Sequence, residues 1–510
     1  MLEAFGGGAL NIIGSTVTPM PGSVIRAIGP GSIVHIEDST VGGEMSATDG
    51  AIIELGSSSD ASTVTLDHPT LSGEMIVMPR TEVRVTGPLV NNTRLPLVFG
   101  AGGGRVTQLQ FTGDTSITGS GIIDFVSGGY ITPWDGPATV TLGSEQTIKG
   151  SGDIEVNMIV EGTVWAYPGD RIRFRNGAVT NRTDIGTDGG RLQFIGDIIS
   201  EPGSRLVAND GGFIELSGLQ PRGRMFGGTI ELSADSTLEI SSFRLQDVTI
   251  NGNTSISRYS YVALANAFTN NGTFLVGDGT QSGAGRLRID TDLTIEGEGS
   301  IILPRSSGKY SLGDATIYGV GDARLELGPS QRLEGVGLID LPLVVHGPVA
   351  PGGGTEHLVA NASIEFAPTA TLEIEVGPLF NSYIWSRDVT LAGTFEIRFV
   401  DGFNPGGPYW QRTFMTALDA FSGSFDSIVG PVLTDHRLEY RVTYADTRFR
   451  IGTYCKADTN SDRQLNFFDL SEFIAMFNAQ DQAADIAAPF GTLNFFDIAA
   501  YIGRFNAGCP

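Results

Sequence analysis

One short phrase limits the fold more than any other feature. The pattern (I/L)-x-G-x-G-x-I returns four times, as Ile117-Gly119-Gly121-Ile123, Ile148-Gly150-Gly152-Ile154, Ile295-Gly297-Gly299-Ile301 and Leu333-Gly335-Gly337-Ile339. Apolar residues hold alternate positions at its ends, and glycines keep the same parity between them. That is the pattern of a strand, a tight corner and a second strand, with glycine where the backbone turns. The surrounding chain alternates in the same way. In GGTIELSADSTLEISSF, Ile230 and Leu232 are followed across a polar turn by Leu238 and Ile240; in RLRIDTDLTIEGEG, Leu287 and Ile289 are followed by Leu293 and Ile295. Alternation over four or five residues means strands with one face buried. No helical periodicity of useful length occurs before residue 450. Glycine is 70 of 510 residues, and charged residues are only 17%, which suits many short strands and turns.

Strand-corner-strand units that recur without closing on themselves fit a solenoid, in which each coil pairs with the next and only the end coils keep open edges. The expected fold is therefore mainly β: a right-handed parallel β-helix or β-solenoid over residues 1–345, a strand-rich C-terminal cap over 346–453, and a small helical domain over 454–510. The motif copies are unevenly spaced, so an array of β-sandwiches is the rival. From Leu333 the chain reads LEGVGLIDLPLVVHGPVAPGGG, then ATLEIEVG, LAGTFEIRFVDGFNPGGPYWQRTFMTA and FSGSFDSIVGP. This series resembles the end of autotransporter-like and other bacterial surface β-helix proteins. The resemblance spans roughly residues 330 to 450 and implies a β-helix closed by a β cap. It brings no catalytic residues with it.

The formal charge is −25. Such an acidic surface argues against nucleic acid and anionic membranes as partners; it is compatible with cation binding and with solubility in a salty or extracellular medium. No run of 18 apolar residues exists, so no membrane-spanning helix is expected. The N-terminal MLEAFGGGALNIIGSTV lacks the basic and apolar regions of a secretory signal, and a missing true start is expected.

Catalytic signatures are sparse. None of His35, His68, His346, His357 and His436 stands in an H-E-x-x-H arrangement. The glycine run GAGGGRV at Gly100–Val106 is followed by no helix that would present amides to a phosphate. Asp188 in TDGG and Asp210 in NDGG could serve a polysaccharide lyase or glycoside hydrolase, but Asp-Gly is also a common turn pair, and turns are expected. Trp134 and Trp165 are expected to pack rather than to stack on sugars.

The tail is different. NFFDLSEFIAMFNA (466–479) and NFFDIAAYIGRFNA (494–507) agree at eight of fourteen positions. Ahead of the first lies DTNSDRQLNFFD, with Asp458, Asn460, Asp462, Asn466 and Asp469 at positions 1, 3, 5, 9 and 12 of a twelve-residue loop. Calcium takes six to eight hard oxygens, and this spacing curls them round one ion, with Gln464 at position 7 offering its carbonyl and Asn466 acting directly or through water. Arg463 stands at position 6, where glycine usually makes the turn. The second lead-in, DIAAPFGTLNFFD, keeps Asp485 but has Ala487 and Pro489 in place of two ligands. Tight calcium binding is therefore expected only in the first loop. Asn466 and Asn494 can also cap helices with Asp469 and Asp497 in their first turns. Leu470, Phe473, Ile474 and Phe477, and likewise Ile498, Tyr501, Ile502 and Phe505, follow at helical spacing as a shared core. The Phe-Phe pairs lie off that stripe and are expected as extra core, with a partner-binding patch as the alternative. Cys455 and Cys509 bracket the tail. They are either two unrelated thiols or, as their placement favours, a disulfide formed in an oxidising compartment.

The loop-helix duplication with Asp at position 12 resembles type I dockerins. The whole tail, ending Cys509-Pro510, is similar to the GC-type dockerin domains of bacterial surface proteins. That resemblance implies calcium-stabilised folding and attachment or assembly at the cell surface, with a cohesin-like or cell-envelope partner. The expectation is a secreted or surface-attached structural or adhesive β-helix protein, with a polysaccharide-degrading enzyme carried by the same tail as the alternative and a polysaccharide as possible ligand.

Overall fold

A computed structural model of the chain describes all residues except 19, 21, 99–105, 219–222, 278–284, 305–314, 353–356, 379–380, 406, 434 and 446. Most of the glycine run at Gly100–Val106 thus lies outside the described residues. The chain divides into two compact units, Met1–Asp278 with Gly283–Ser300, and Gly279–Ser282 with Ile301–Pro510.

The first unit is a parallel β-solenoid. Strand Ile122–Phe125 pairs in parallel with Arg94–Leu97 before it and Thr147–Gly150 after it, and the same neighbour relation recurs along the unit. Each strand pairs with the third strand after it through most of the unit, so a coil has three strands. Inward-facing residues therefore stack on one another. Leu95, Ile123, Ile148, Val164, Ile185, Leu206, Ile230 and Ile250 form one such column, every member fully buried. The chain length per coil varies while the register of the column holds. It is short from Ile148 to Val164 and long from Leu95 to Ile123, which is why the motif copies are unevenly spaced. Alternation explains the two faces: in strand Arg171–Arg175, Ile172 and Phe174 are buried while the three arginines point outward. Phe174 stacks on Phe194 of the next coil, with ring centroids 4.8 Å apart. Parallel in-register pairing of this kind excludes a β-sandwich array.

The glycine motif marks a corner. In Ile148-Gly150-Gly152-Ile154, Gly150 has φ +89, in the left-handed region, and a Cβ there would lie 2.2 Å from the Phe125 carbonyl of the preceding coil. Gly152 is required for space instead, since a Cβ would stand 2.4 Å from the Phe125 ring. The first glycine thus sets the turn and the second lets the coils approach.

The second unit also contains parallel coils. Leu333 pairs with Val349, and strand Thr371–Val376 runs in register with Thr394–Phe399. Parallel pairing continues to strand Ser427–Val429. It then gives way to antiparallel pairing, in which Arg448–Cys455 is flanked by Gln411–Gly423 and by Leu438–Ala445. Phe395 of a parallel strand meets Phe414, Phe425 and Phe449 of the cap segment, so apolar rings close the end of the coils. Among the described residues, α-helices occur only in the tail: α1 at Phe467–Asn478 and α2 at Phe495–Ala507.

Candidate functional site: the tail loop and its surroundings

Both helices start as their sequences imply. The Asn466 side chain accepts from Phe468 N (2.8 Å), and Asp469 accepts from Asn466 N (2.8 Å), a reciprocal capping box; Asn494 and Asp497 repeat it. The helices meet through Phe473 and Tyr501, whose rings stack with centroids 4.0 Å apart, over buried Ala484. Leu470, Phe477, Ile498 and Phe505 pack round them, but Ile474 and Ile502 lie at the edge, nearly half exposed.

The expectation that the Phe-Phe pairs form extra core is corrected. Phe467, Phe468, Phe495 and Phe496 are 63–74% exposed. The capping box turns the third helical residue of each copy, Asp469 or Asp497, inward to full burial. The two residues before it are thereby directed away from the seam.

In the first loop, the carboxylates of Asp458, Asp462 and Asp469 converge, each offering an oxygen within 4.8 Å of the others. Arg463, where glycine was usual, adopts φ +71, and Ser461 adopts φ +60, so the sharp turn is made at a cost of about 1–2 kcal/mol per residue. Asp458 is fully buried. Its Oδ2 accepts from Arg463 N (3.1 Å) and from the Tyr409 hydroxyl (2.8 Å); its Oδ1 is buried with no hydrogen-bond partner. A buried carboxylate oxygen without a partner is costly, and three like charges this close disfavour one another by on the order of a few kcal/mol. Two arginines stand beside the loop, and neither guanidinium is held by its three carboxylates. Arg441 pairs with Glu439 and donates to the Asp458 carbonyl and Ser461 Oγ, while Arg463 lies over the Tyr409 ring. This donor set fits a hard divalent cation.

The other three expected ligands are engaged locally. Asn460 Oδ1 accepts from Asp462 N (2.9 Å) while its Nδ2 donates to Asp462 (3.1 Å); the Gln464 carbonyl accepts from Asn466 Nδ2 (3.3 Å); and the Asn466 oxygen caps α1. Tyr409 and Arg441 lie in the β cap, far from the loop in sequence, and nothing in the tail signals them. The Tyr409 phenol is pushed up above its usual range by burial, then by its bond to Asp458.

The second loop closes differently. Asp497 Oδ1 accepts from Ile486 N and Ala487 N, and its Oδ2 from Asn494 N, each at 2.8 Å. These amides, Asn494 foremost, hold the Asp497 carboxyl below its usual value. Backbone N–H groups thus surround Asp497, and Asp485 accepts from Gly491 N with one oxygen while the other is buried without a partner; among the described residues no second acidic cluster like that of the first loop exists. Cys455, ending its cap strand, is bonded to Cys509 with Cα atoms 5.5 Å apart, as its placement favoured.

Elsewhere among the described residues, charged side chains line further grooves. One, of about 830 Å³ in the first unit, is lined by Arg224, Arg244, Arg288, Tyr261 and Asp197. Register explains it: Arg224, Arg244, Ala263 and Arg288 occupy one outward column, and small Ala263 leaves a notch between long side chains. Arg224 pairs with Asp197 (2.6 Å), and both Arg244 (3.3 Å) and Arg288 (2.7 Å) reach Asp290. Another, of about 300 Å³ in the second unit, is lined by Arg332, Glu334, Glu373, Glu375 and Arg398. Asp188 and Asp210 flank turns, Asp210 with φ +52, as expected for Asp-Gly. Trp134 does not pack inside; it is 42% exposed beneath the Arg84 guanidinium, 4.6 Å from the ring centre. Trp165 fills the space over Gly186, where a Cβ would stand 2.3 Å from its ring. No protein-family model matches the chain, and no curated protein matches it.

Proposed function

We propose that the protein is an extracellular or cell-surface β-solenoid with a structural or adhesive role, attached through a calcium-stabilised, dockerin-like tail. The observation that carries this is the convergence of Asp458, Asp462 and Asp469 about a buried, partnerless Asp458 oxygen. Calcium would take those carboxylates, with Asn460, the Gln464 carbonyl and, through water, Asn466 completing an oxygen shell. The disulfide supports an oxidising compartment. The four exposed phenylalanines support attachment, since bare aromatic surface at two helix starts suits a cohesin-like or cell-envelope protein partner. Calorimetric titration with calcium chloride is the test. One site per chain is expected, with Asp458→Asn weakening it at least 100-fold; two equivalent sites, or none, would refute the proposal.

Polysaccharide binding or cleavage by the solenoid is the alternative, and the arginine column is what favours it. Arg224 and Arg244 on adjacent coils and Arg288 two coils further on, beside Tyr261, suit an anionic sugar chain lying along the coils. Binding of pectin, alginate or sulfated glycan that drops about 10-fold in Arg244→Ala is expected on that view, with released oligosaccharides if the site is also catalytic; equal binding by the variant would discard the groove as the site.

A further inference from the structure

We propose that Tyr409 is a positioning residue for the cation loop, so that the β cap outside the tail sets how tightly the tail holds its ion; this rests on the calcium proposal above. Tyr409 precedes cap strand Gln411–Gly423 and has φ +72. A bulky residue in the left-handed region costs about 1–2 kcal/mol and persists only where its surroundings over-determine it. Here the backbone N–H is fixed to the Thr453 carbonyl, and the ring sits edge-on to Tyr454 with centroids 6.0 Å apart. The strained backbone delivers the phenol hydroxyl to Asp458 Oδ2 at 2.8 Å.

That bond decides which Asp458 oxygen is left for a cation. Oδ2 is taken by Tyr409 from the cap and by Arg463 N from the loop, so the carboxylate is held by one oxygen while Oδ1 stays buried and without a partner. Arg441, on the neighbouring cap strand Leu438–Ala445, fastens the backbone of the same residue through its carbonyl (2.8 Å) and grips Ser461 Oγ at the loop's turn. Asp458 N in turn donates to the Cys455 carbonyl (3.1 Å), at the strand end that carries the disulfide. The first expected ligand of the loop is thus held by groups that would stand outside the ion's oxygen shell. Partners of this kind are worth 10- to 100-fold in metal affinity. Linkage makes the coupling mutual: a cation bound in the loop tightens the hold of tail on cap by the same factor that the cap tightens the cation.

The test is calcium chloride titration of the full chain and of two variants, Tyr409→Phe and Tyr454→Phe. Tyr409→Phe keeps the ring over which Arg463 lies and removes only the hydroxyl; Tyr454→Phe is the control for ring packing. The expected result is about 10-fold weaker calcium binding by Tyr409→Phe with stoichiometry still one, and unchanged affinity in Tyr454→Phe. Equal affinity of Tyr409→Phe and the unmodified chain would overturn the inference. So would equal losses in both variants, or a fall in stoichiometry at unchanged affinity, each of which marks a packing role. Failure of the unmodified chain to bind calcium would overturn the calcium proposal itself and this inference with it.

Discussion

Cys455→Ser is expected to destabilise the metal-free tail by about 4 kcal/mol, since the bridge closes a sequence separation of 54 residues and a loop of that size loses about this much chain entropy when cross-linked. The tail has little else to rely on. The hydrophobic cluster between its helices has only Phe473, Ala484 and Tyr501 buried, with a ring of partly buried neighbours, while four phenylalanines and Phe490 stay in solvent. A core of that size rarely supplies more than about 3–5 kcal/mol by itself. In the presence of a chelator, thermal unfolding of Cys455→Ser should show the tail transition lowered by about 20 °C. Cys509→Ser should match it, and the double variant should lose no more, because one bond is removed in all three. Saturating calcium should recover much of the loss, since the ion binds only the folded loop. A shift of a few degrees in the chelated protein would mean that the cap contact from Arg437 to the Ala507 carbonyl, with the bond from Tyr501 to the Ala457 carbonyl within the tail, holds the tail without the bridge.

Strand parity was legible because it is local: Ile230, Leu238, Ile240, Leu287, Ile289, Leu293 and Ile295 are buried as their alternation requires, and of the residues so read Leu232 alone stays partly exposed. The glycine corner was legible for the same reason, since φ at Gly150 is a property of a few consecutive residues. Coil register was not. The column that places Arg224, Arg244 and Arg288 together depends on loops of differing length between strands, and no local rule sets those lengths. In the tail, spacing alone located the three converging carboxylates and the two caps. It also picks out the stripe of Leu470, Phe473 and Phe477 by which α1 meets α2; it does not fix the direction of Phe467 and Phe468, which lie off that stripe and which the capping box turns out. Nor could spacing find Tyr409, which reaches Asp458 only because the antiparallel cap folds back beside the loop. Spacing also marks Asn460 and Asn466 as ligand positions, but not the local bonds they make: Asn460 Oδ1 accepts from Asp462 N and Asn466 Oδ1 from Phe468 N.

Glu373→Ala is expected to destabilise the second unit by about 3 kcal/mol, the lower end of the cost of breaking a buried ion pair. Glu373 is 8% exposed and accepts both amino groups of Arg332, at 2.7 and 2.8 Å, with Arg398 a further 3.1 Å away. The reach is made possible by Ala350, which stands between the strands of Arg332 and Glu373 and leaves room for the guanidinium to cross. Removing the carboxylate leaves two guanidinium groups facing a notch with no anion between them. Arg332 still has Glu334 and Arg398 still has Glu396, which is why the lower end applies. The sign of the pH dependence follows from the same contact. Arg332 holds the Glu373 carboxyl below its usual value, so the stabilisation is complete above that value and is lost as pH falls through the lower, folded one. Urea unfolding of the unmodified chain should therefore weaken below about pH 4.5, and part of that slope should be missing in Glu373→Ala. The direction also bears on chemistry. A glycosidic general acid needs a carboxyl held above its usual value, and Glu373 is held the other way by arginines that fill its lone pairs. Full stability of Glu373→Ala, or a loss of glycan cleavage at unchanged stability, would reverse this assignment and make the groove a site of reaction instead of a brace between coils.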